Sequence, residues 1–246
     1  MFFHRNSSTE RLENYLYDRD RKRILLMVSA MGERTARALE EAVEALVTLD
    51  GPRAAAVVAQ DGAIDALEGE IEQECLLSLA MRQPVREDLR FVFSVLKIVT
   101  DLERLGDEAA NISEKTMALL GAPLFQPLVD IPQMGNLVAA MLRDSLQAFA
   151  QNDAPGALEV IRRDDVVDTL YDKVFRDVMA QLIADGIAEE DRVRRGAALI
   201  LISRYLERAG DHAVNIATRA YFMITGKRLP DRHEARRSPA PEKGQP

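Results

Sequence analysis

Eight acidic residues in four evenly spaced pairs hold most of the chemical information in this sequence. Glu103 and Asp107, Glu207 and Asp211, Asp61 and Asp65, and Asp164 and Asp168 each stand four residues apart. On a helix, residues at that spacing share a face, and a like-charged pair costs roughly 0.2–0.5 kcal/mol. Four such pairs in corresponding places call for an offsetting partner. Carboxylate and amide oxygens are what Mg²⁺, Mn²⁺ or iron accept as ligands. Asn111 and Asn215 extend two of the stripes by one further turn. The candidate metal ligands are therefore Asp61, Asp65, Glu103, Asp107 and Asn111 in the first half, and Asp164, Asp168, Glu207, Asp211 and Asn215 in the second. The competing reading is a solvated ion-pair surface: Arg104 and Arg208 adjoin the stripes, and Arg86, Arg90, Arg194, Arg195 and Arg204 are close in sequence. Exposed pairs of that kind contribute little.

Other reactive residue types have plainer readings. His212 lies about 100° round the helix from Asp211 and reads as a partly exposed polar residue. Cys75, among Leu76, Leu77 and Leu79, reads as a small core residue. Paired carboxylates can serve as acid and base, but no nucleophile accompanies them. The chain has no Gly-rich phosphate loop, no HExxH and no Ser-His-Asp set in evident order. The expectation is a protein that is not an enzyme.

The elements that must position these acids can be read from the breakers. Prolines at 52, 84, 123, 127, 132 and 155 bound long stretches rich in Ala, Leu, Glu, Arg and Met, the strong helix formers. Six helices are predicted, at about 12–49, 53–82, 86–120, 131–152, 156–184 and 189–225, with Asp185-Gly186 as the stop of the fifth. β-branched alternation is nearly absent, so no sheet is expected. Asp50-Gly51-Pro52 and Asn152-Asp153-Ala154-Pro155 each place a cap residue just before a proline that can open a helix.

The chain is also two copies of one unit. Leu102–Ile112 and Leu206–Ile216 agree at eight of 11 positions with an offset of 104. Asp61, Asp65 and Leu67 answer Asp164, Asp168 and Leu170 at an offset of 103. The one-residue difference fits an insertion near Gln83-Pro84 or its counterpart. This is a strong internal repeat. In the third helix Val95, Ile98, Leu102, Leu105, Gly106, Ala109 and Ile112 share a core arc, as do Leu199, Ile202, Leu206, Ala209, Gly210, Ala213, Ile216 and Ala217 in the sixth. Gly106 and Gly210 sit in helix interiors at a cost of roughly 1 kcal/mol each relative to Ala, which suits close approach of a neighbouring helix. The predicted architecture is all-α: two tandem, pseudo-symmetric antiparallel three-helix bundles at 12–121 and 130–226, followed by a polar, Pro-rich disordered tail at 227–246.

Composition sets the outer limits. The chain has 246 residues, a net charge of −8, one cysteine and no tryptophan. A single cysteine excludes an intramolecular disulfide and any cysteine-cluster metal site. The acidic balance argues against nucleic-acid binding. No apolar run reaches membrane-spanning length, and the N-terminus lacks a signal peptide's apolar stretch. The expected location is cytoplasmic, with membrane association only indirect.

Two copies of LERxGDxAxNI, each preceded by a DxxxD helix, resemble the PhoU family of bacterial phosphate-signalling accessory proteins. The similarity spans about residues 15–226. It departs at the N-terminus, where His4-Arg5-Asn6-Ser7 and Glu10-Arg11-Leu12-Glu13 match the family's opening segment only loosely. The resemblance implies two symmetric three-helix bundles and, in some members, multinuclear iron or other metal clusters on ExxxD motifs. Those motifs fall here on Glu103, Asp107, Glu207 and Asp211, with Asp61, Asp65, Asp164 and Asp168 as the second acidic motif. It also implies repression of the phosphate-starvation response in phosphate-replete cells, through contacts with the ATPase subunit of the phosphate ABC transporter and with the sensor histidine kinase, and a homodimer. Bare acidic stripes repel phosphate unless a metal inverts the local charge, so a protein-contact regulator is expected rather than a phosphate pocket. The alternatives are a metal-free helical adaptor that docks an arginine-rich partner, a metal-dependent phosphoester hydrolase, and an accessory subunit of another phosphate permease.

Overall fold

The structure is a computed structural model that describes residues 7–121, 130–184 and 190–229. It contains the helices α1 (Ser7–Thr48), α2 (Gly51–Gln60), α3 (Gly62–Arg82), α4 (Glu87–Ala118), α5 (Asp130–Gln151), α6 (Ala154–Ala184) and α7 (Glu190–Thr225), and no strand among the described residues. The second predicted helix is thus two segments meeting at Asp61. Its backbone stays helical (φ −57°, ψ −50°), and its N–H bonds Val58 O at 3.4 Å, a tightened turn rather than a bend in the chain. The Asp185-Gly186 stop, His4, His233, the loop counterpart of Gln83-Pro84 and the tail from residue 230 lie outside the described residues. Lys227–Leu229 are non-helical.

The two units repeat in detail. Asp50 Oδ1 accepts from Arg53 N at 2.9 Å, and Asp153 Oδ1 accepts from Gly156 N at 3.0 Å. These are the two side-chain caps expected ahead of the Pro-opened helices. The preceding turns match as well. Leu49 and Asn152 take positive φ (51° and 56°), and Asp50 N and Asp153 N each bond the carbonyl five residues back at 2.9 Å. Every apolar residue named above for the inward arcs of α4 and α7 is 0% exposed.

α1, α2/α3 and α4 form one trio; α5, α6 and α7 form the other. The trios pack side by side, α4 on α7 and α1 on α5, so one apolar core runs through both. Arg90 Nε donates to Met223 O at 3.3 Å at one end of the α4–α7 seam, and Arg208 meets Glu108 at 3.1 Å further along it. Rising numbers on α4 meet falling numbers on α7, the antiparallel pairing that a pseudo-twofold axis produces. Along α1–α5, Arg143 Nη1 and Nη2 bond Glu40 at 2.5 and 2.9 Å. α2/α3 and α6 are left as the outer rods.

Gly32 and Gly135, 103 residues apart, sit in that second seam. A Cβ on Gly135 would stand 2.6, 3.1 and 3.3 Å from Val43 Cγ2, Cγ1 and Cβ. A Cβ on Gly32 would stand 2.0 Å from Leu146 Cδ1 but 3.4 Å from its Cγ. Val43 is stiff at χ1 and cannot withdraw, whereas Leu146 can turn one methyl away. Gly135→Ala should therefore destabilise the protein by about 1–2 kcal/mol despite the gain in helix propensity, and Gly32→Ala by less. Chemical denaturation of the two variants measures the difference; equal losses would contradict this packing.

Candidate metal centres

Each acidic centre is built where an outer rod crosses a seam helix. Gly106 and Gly210 allow that approach. A Cβ on Gly106 would meet Ile64 Cδ1 at 2.9 Å and Asp61 Oδ1 at 3.5 Å; on Gly210 it would meet Val167 Cγ1 at 3.3 Å and Asp164 Oδ1 at 3.5 Å. The missing side chains let a carboxylate from the outer rod lie against the turn that carries Glu103 and Asp107, or Glu207 and Asp211. Asp164 is buried, Asp61, Glu103, Asp168 and Glu207 are half-buried, and Asp65, Asp107 and Asp211 are exposed.

The charges in each centre act on one another. Burial pushes the Glu103 carboxyl up to about 7, helped by Asp107, Glu68 and Asp65 and opposed by Arg104. Asp61 is raised by burial, then by Asp107, Asp65 and Glu114. Asp107 is raised by burial and Asp65, against Arg104, His212 and Arg208. Glu207 is raised by burial and Asp211, opposed by Arg204, with Asp168 and Asp164 adding to the rise. The structure thus brings Asp61, Asp65, Glu103 and Asp107 into one field, and Asp164, Asp168, Glu207 and Asp211 into another.

The two asparagines have other engagements. Asn111 Nδ2 donates to Glu108 Oε2 at 3.5 Å, and Asn215 Nδ2 donates to Asp101 Oδ1 at 3.1 Å. Among the described residues, no three His, Cys, Asp or Glu side chains are already gathered as ligands of one ion. The donor chemistry nevertheless suits a hard cation. Arg204 takes one oxygen of Glu207 at 2.6 Å, while the other, Oε2, is buried without a hydrogen-bond partner. A buried carboxylate oxygen left without a partner is costly, and a cation would satisfy it.

His212 is half-buried, its Nδ1 3.0 Å from Asp101 Oδ1 across the α4–α7 seam. Cys75 is fully buried and its thiol is pushed up to about 12 by burial, which keeps it unreactive. Three acids near the centres escaped the reading of the sequence: Asp101, Glu108 and Glu68. Glu108 is 2% exposed and paired with Arg208. Glu68 helps line an open groove of about 430 Å³ with Glu103, Asp107, Arg104 and Arg208. All three break the repeat, since Tyr205, His212 and Tyr171 occupy the matching positions. The available signal was periodicity: Glu68 lies seven residues from Asp61, on the same face.

A pH dependence follows. Asp61, Glu68, Glu103, Asp107 and Glu207 all hold protons more tightly folded than unfolded. Between the ordinary carboxylate range and about 7 the native state therefore binds more protons, and stability falls as pH rises through that window. Chelator-treated protein should melt lower at about pH 8 than at about pH 5.5. A flat or rising melting temperature would contradict the clustering. Glu40, held low by its hydrogen bonds to Arg143, works in the opposite direction at more acidic pH.

No helix among the described residues is long and apolar enough to cross a membrane. Fold and site together define a duplicated all-helical protein with two matched acidic centres. The PhoU domain model matches residues 28–116 and again 131–220. The chain is 34% identical over 215 residues to the phosphate-specific transport system accessory protein PhoU homolog of Clostridium acetobutylicum, covering 87% of this chain and 96% of that one. To the homolog of the same description from Aquifex aeolicus it is 36% identical over 206 residues, covering 84% and 91%. The crystal structure of PhoU from Pseudomonas aeruginosa superimposes with a TM-score of 0.80 at 32% identity, over 86% of this chain and all of the other. The phosphate transport system regulatory protein PhoU from Streptococcus pneumoniae gives 0.80 at 28% identity, over 87% and 99%. The chain belongs to the PhoU family.

Proposed function

We propose that this protein is an accessory regulator of phosphate uptake that restrains the phosphate-starvation response when phosphate is plentiful. It acts without catalysis, by contact with the ATPase subunit of the phosphate ABC transporter and with the sensor histidine kinase, in the cytoplasm and as a homodimer. The observation that carries this reading is the double match to the family's domain together with relatives named as accessory proteins of phosphate transport. Hard cations, with Fe, Mn or Mg as the candidates, occupy the two acidic centres and set their charge. Asp61, Asp65, Glu103 and Asp107 would hold one ion or cluster, and Asp164, Asp168, Glu207 and Asp211 the other. The unsatisfied Glu207 oxygen supports this. A metal-free adaptor is the second reading, favoured by the Arg204–Glu207 pair at 2.6 Å, which neutralises part of one stripe internally.

Deleting the gene tests the function. Cells grown with ample phosphate should switch on a phosphate-starvation reporter, and the intact gene should silence it again. Unchanged reporter output in the deletion strain would refute the regulatory role.

A further inference from the structure

The duplication provides an internal control: whatever one repeat has and the other lacks is not required by the shared scaffold. The clearest such difference lies between the first two rods of each unit. Between α1 and α2 is an open groove of about 320 Å³, whose walls carry Arg34, Arg37, Arg53 and one acid, Glu41, over a floor that includes Ala38 and Val57. At the matching positions 103 residues on stand Leu137, Ala140 and Gly156. The α5–α6 groove that overlaps this place holds only about 160 Å³ and lacks the arginine pair: Asp144, at the position of Glu41, joins Asp153 and Glu159 against Arg163. The helix caps and turns at the two places are the same, so the fold does not explain the three arginines.

Their partners show which of them are available. Arg53 is engaged by Glu41, Glu44 and Asp50 at 3.4, 3.7 and 3.7 Å. Among the described residues Arg37 reaches only Glu33, at 4.0 Å, and is 66% exposed. Arg34 has no ion-pair partner among the described residues. Two outward guanidinium groups one helical turn apart thus stand over a concave wall in a chain of net charge −8. The guanidinium fork matches phosphoryl oxygens two at a time, and the volume is at the lower end of small-molecule pockets.

We infer that the α1–α2 groove is a binding site for a phosphorylated small molecule, its phosphoryl groups held by Arg34 and Arg37 and its less polar part against Ala38 and Val57. Inorganic phosphate can satisfy only one fork and should bind more weakly than a chain of phosphates. The site is separate from the acidic centres and does not depend on the regulatory reading.

Calorimetric titration of the full chain in low salt, without divalent ions, tests this with four probes: ATP, AMP, tripolyphosphate and inorganic phosphate. ATP and tripolyphosphate should each saturate one site with a dissociation constant below about 1 mM. Equal affinities for the two would place recognition in the phosphates alone, and tighter ATP binding would place part of it on the apolar floor; both fit the site. R34A/R37A should bind at least tenfold more weakly while melting like the parent. D107N/D211N should bind as the parent does. Absence of saturable binding by both ATP and tripolyphosphate, or full binding by R34A/R37A, would overturn the assignment.

Discussion

Replacing Phe91 with alanine should cost about 3–5 kcal/mol of unfolding free energy, the range for deletion of a large buried ring. Phe91 is 1% exposed. Its ring stacks on Phe149 with centroids 5.8 Å apart and planes 7° from parallel, and Arg21 sits over it at 4.6 Å. One side chain on α4 therefore ties α1 of its own trio to α5 of the other. For a chain of this size, each kcal/mol lowers the melting temperature by about 2–4 °C, so the variant should melt about 6–20 °C lower. Arg143 bridges the same two trios through side chains 39–50% exposed, and Arg143→Ala should cost no more than about 1 kcal/mol. A Phe91→Ala loss as small as that would mean the trios do not share a core.

The second large effect concerns the acidic centres. Adding Mn²⁺ or Mg²⁺ to chelator-treated protein should raise its melting temperature, since an ion that binds only the folded state at a hundredfold excess over its dissociation constant contributes about 2.7 kcal/mol. The signature that separates this from nonspecific stabilisation is a pair of opposite signs. Asp107→Asn and Asp211→Asn each remove a charge that raises its neighbours, Glu103 and Asp61 in one centre and Glu207 in the other. The double variant should melt higher than the parent without metal, yet gain less when metal is added. Thermal melts of the four states measure both signs. A variant that gains as much from metal as the parent would remove the cation from the account.

Much of this architecture was legible because it is written twice. Proline positions and Asp caps placed the helix starts, and the three-to-four periodicity of α4 and α7 identified their buried faces. Gly106 and Gly210 signalled the approach of a neighbouring helix, which proved to bring Asp61 and Asp164 alongside. The break at Asp61 was not legible, because its dihedrals remain helical and the change is confined to two backbone bonds, Asp61 N to Val58 O and Ile64 N to Asp61 O, that span three residues instead of four. The pairing of the trios was equally hidden: periodicity identifies a helix's buried face but not the helix it meets. Gly32 and Gly135 carried that information at the repeat offset, although a glycine in a long helix does not name its neighbour. Asp101, Glu108 and Glu68 were missed because a search built on repetition passes over residues that occur once. Asn111 and Asn215 do lie on the stripes, but their amide nitrogens turn to Glu108 and Asp101, acids whose positions depend on the seam.

The most direct test of the central claim, that this duplicated helical protein regulates phosphate uptake through protein contacts, is affinity capture from its own phosphate-replete cells, read by mass spectrometry. Recovery of the phosphate transporter's ATPase subunit and the sensor histidine kinase, at levels above a capture with an unrelated helical protein, is the predicted result. Absence of both from a capture that retains the folded chain would contradict it.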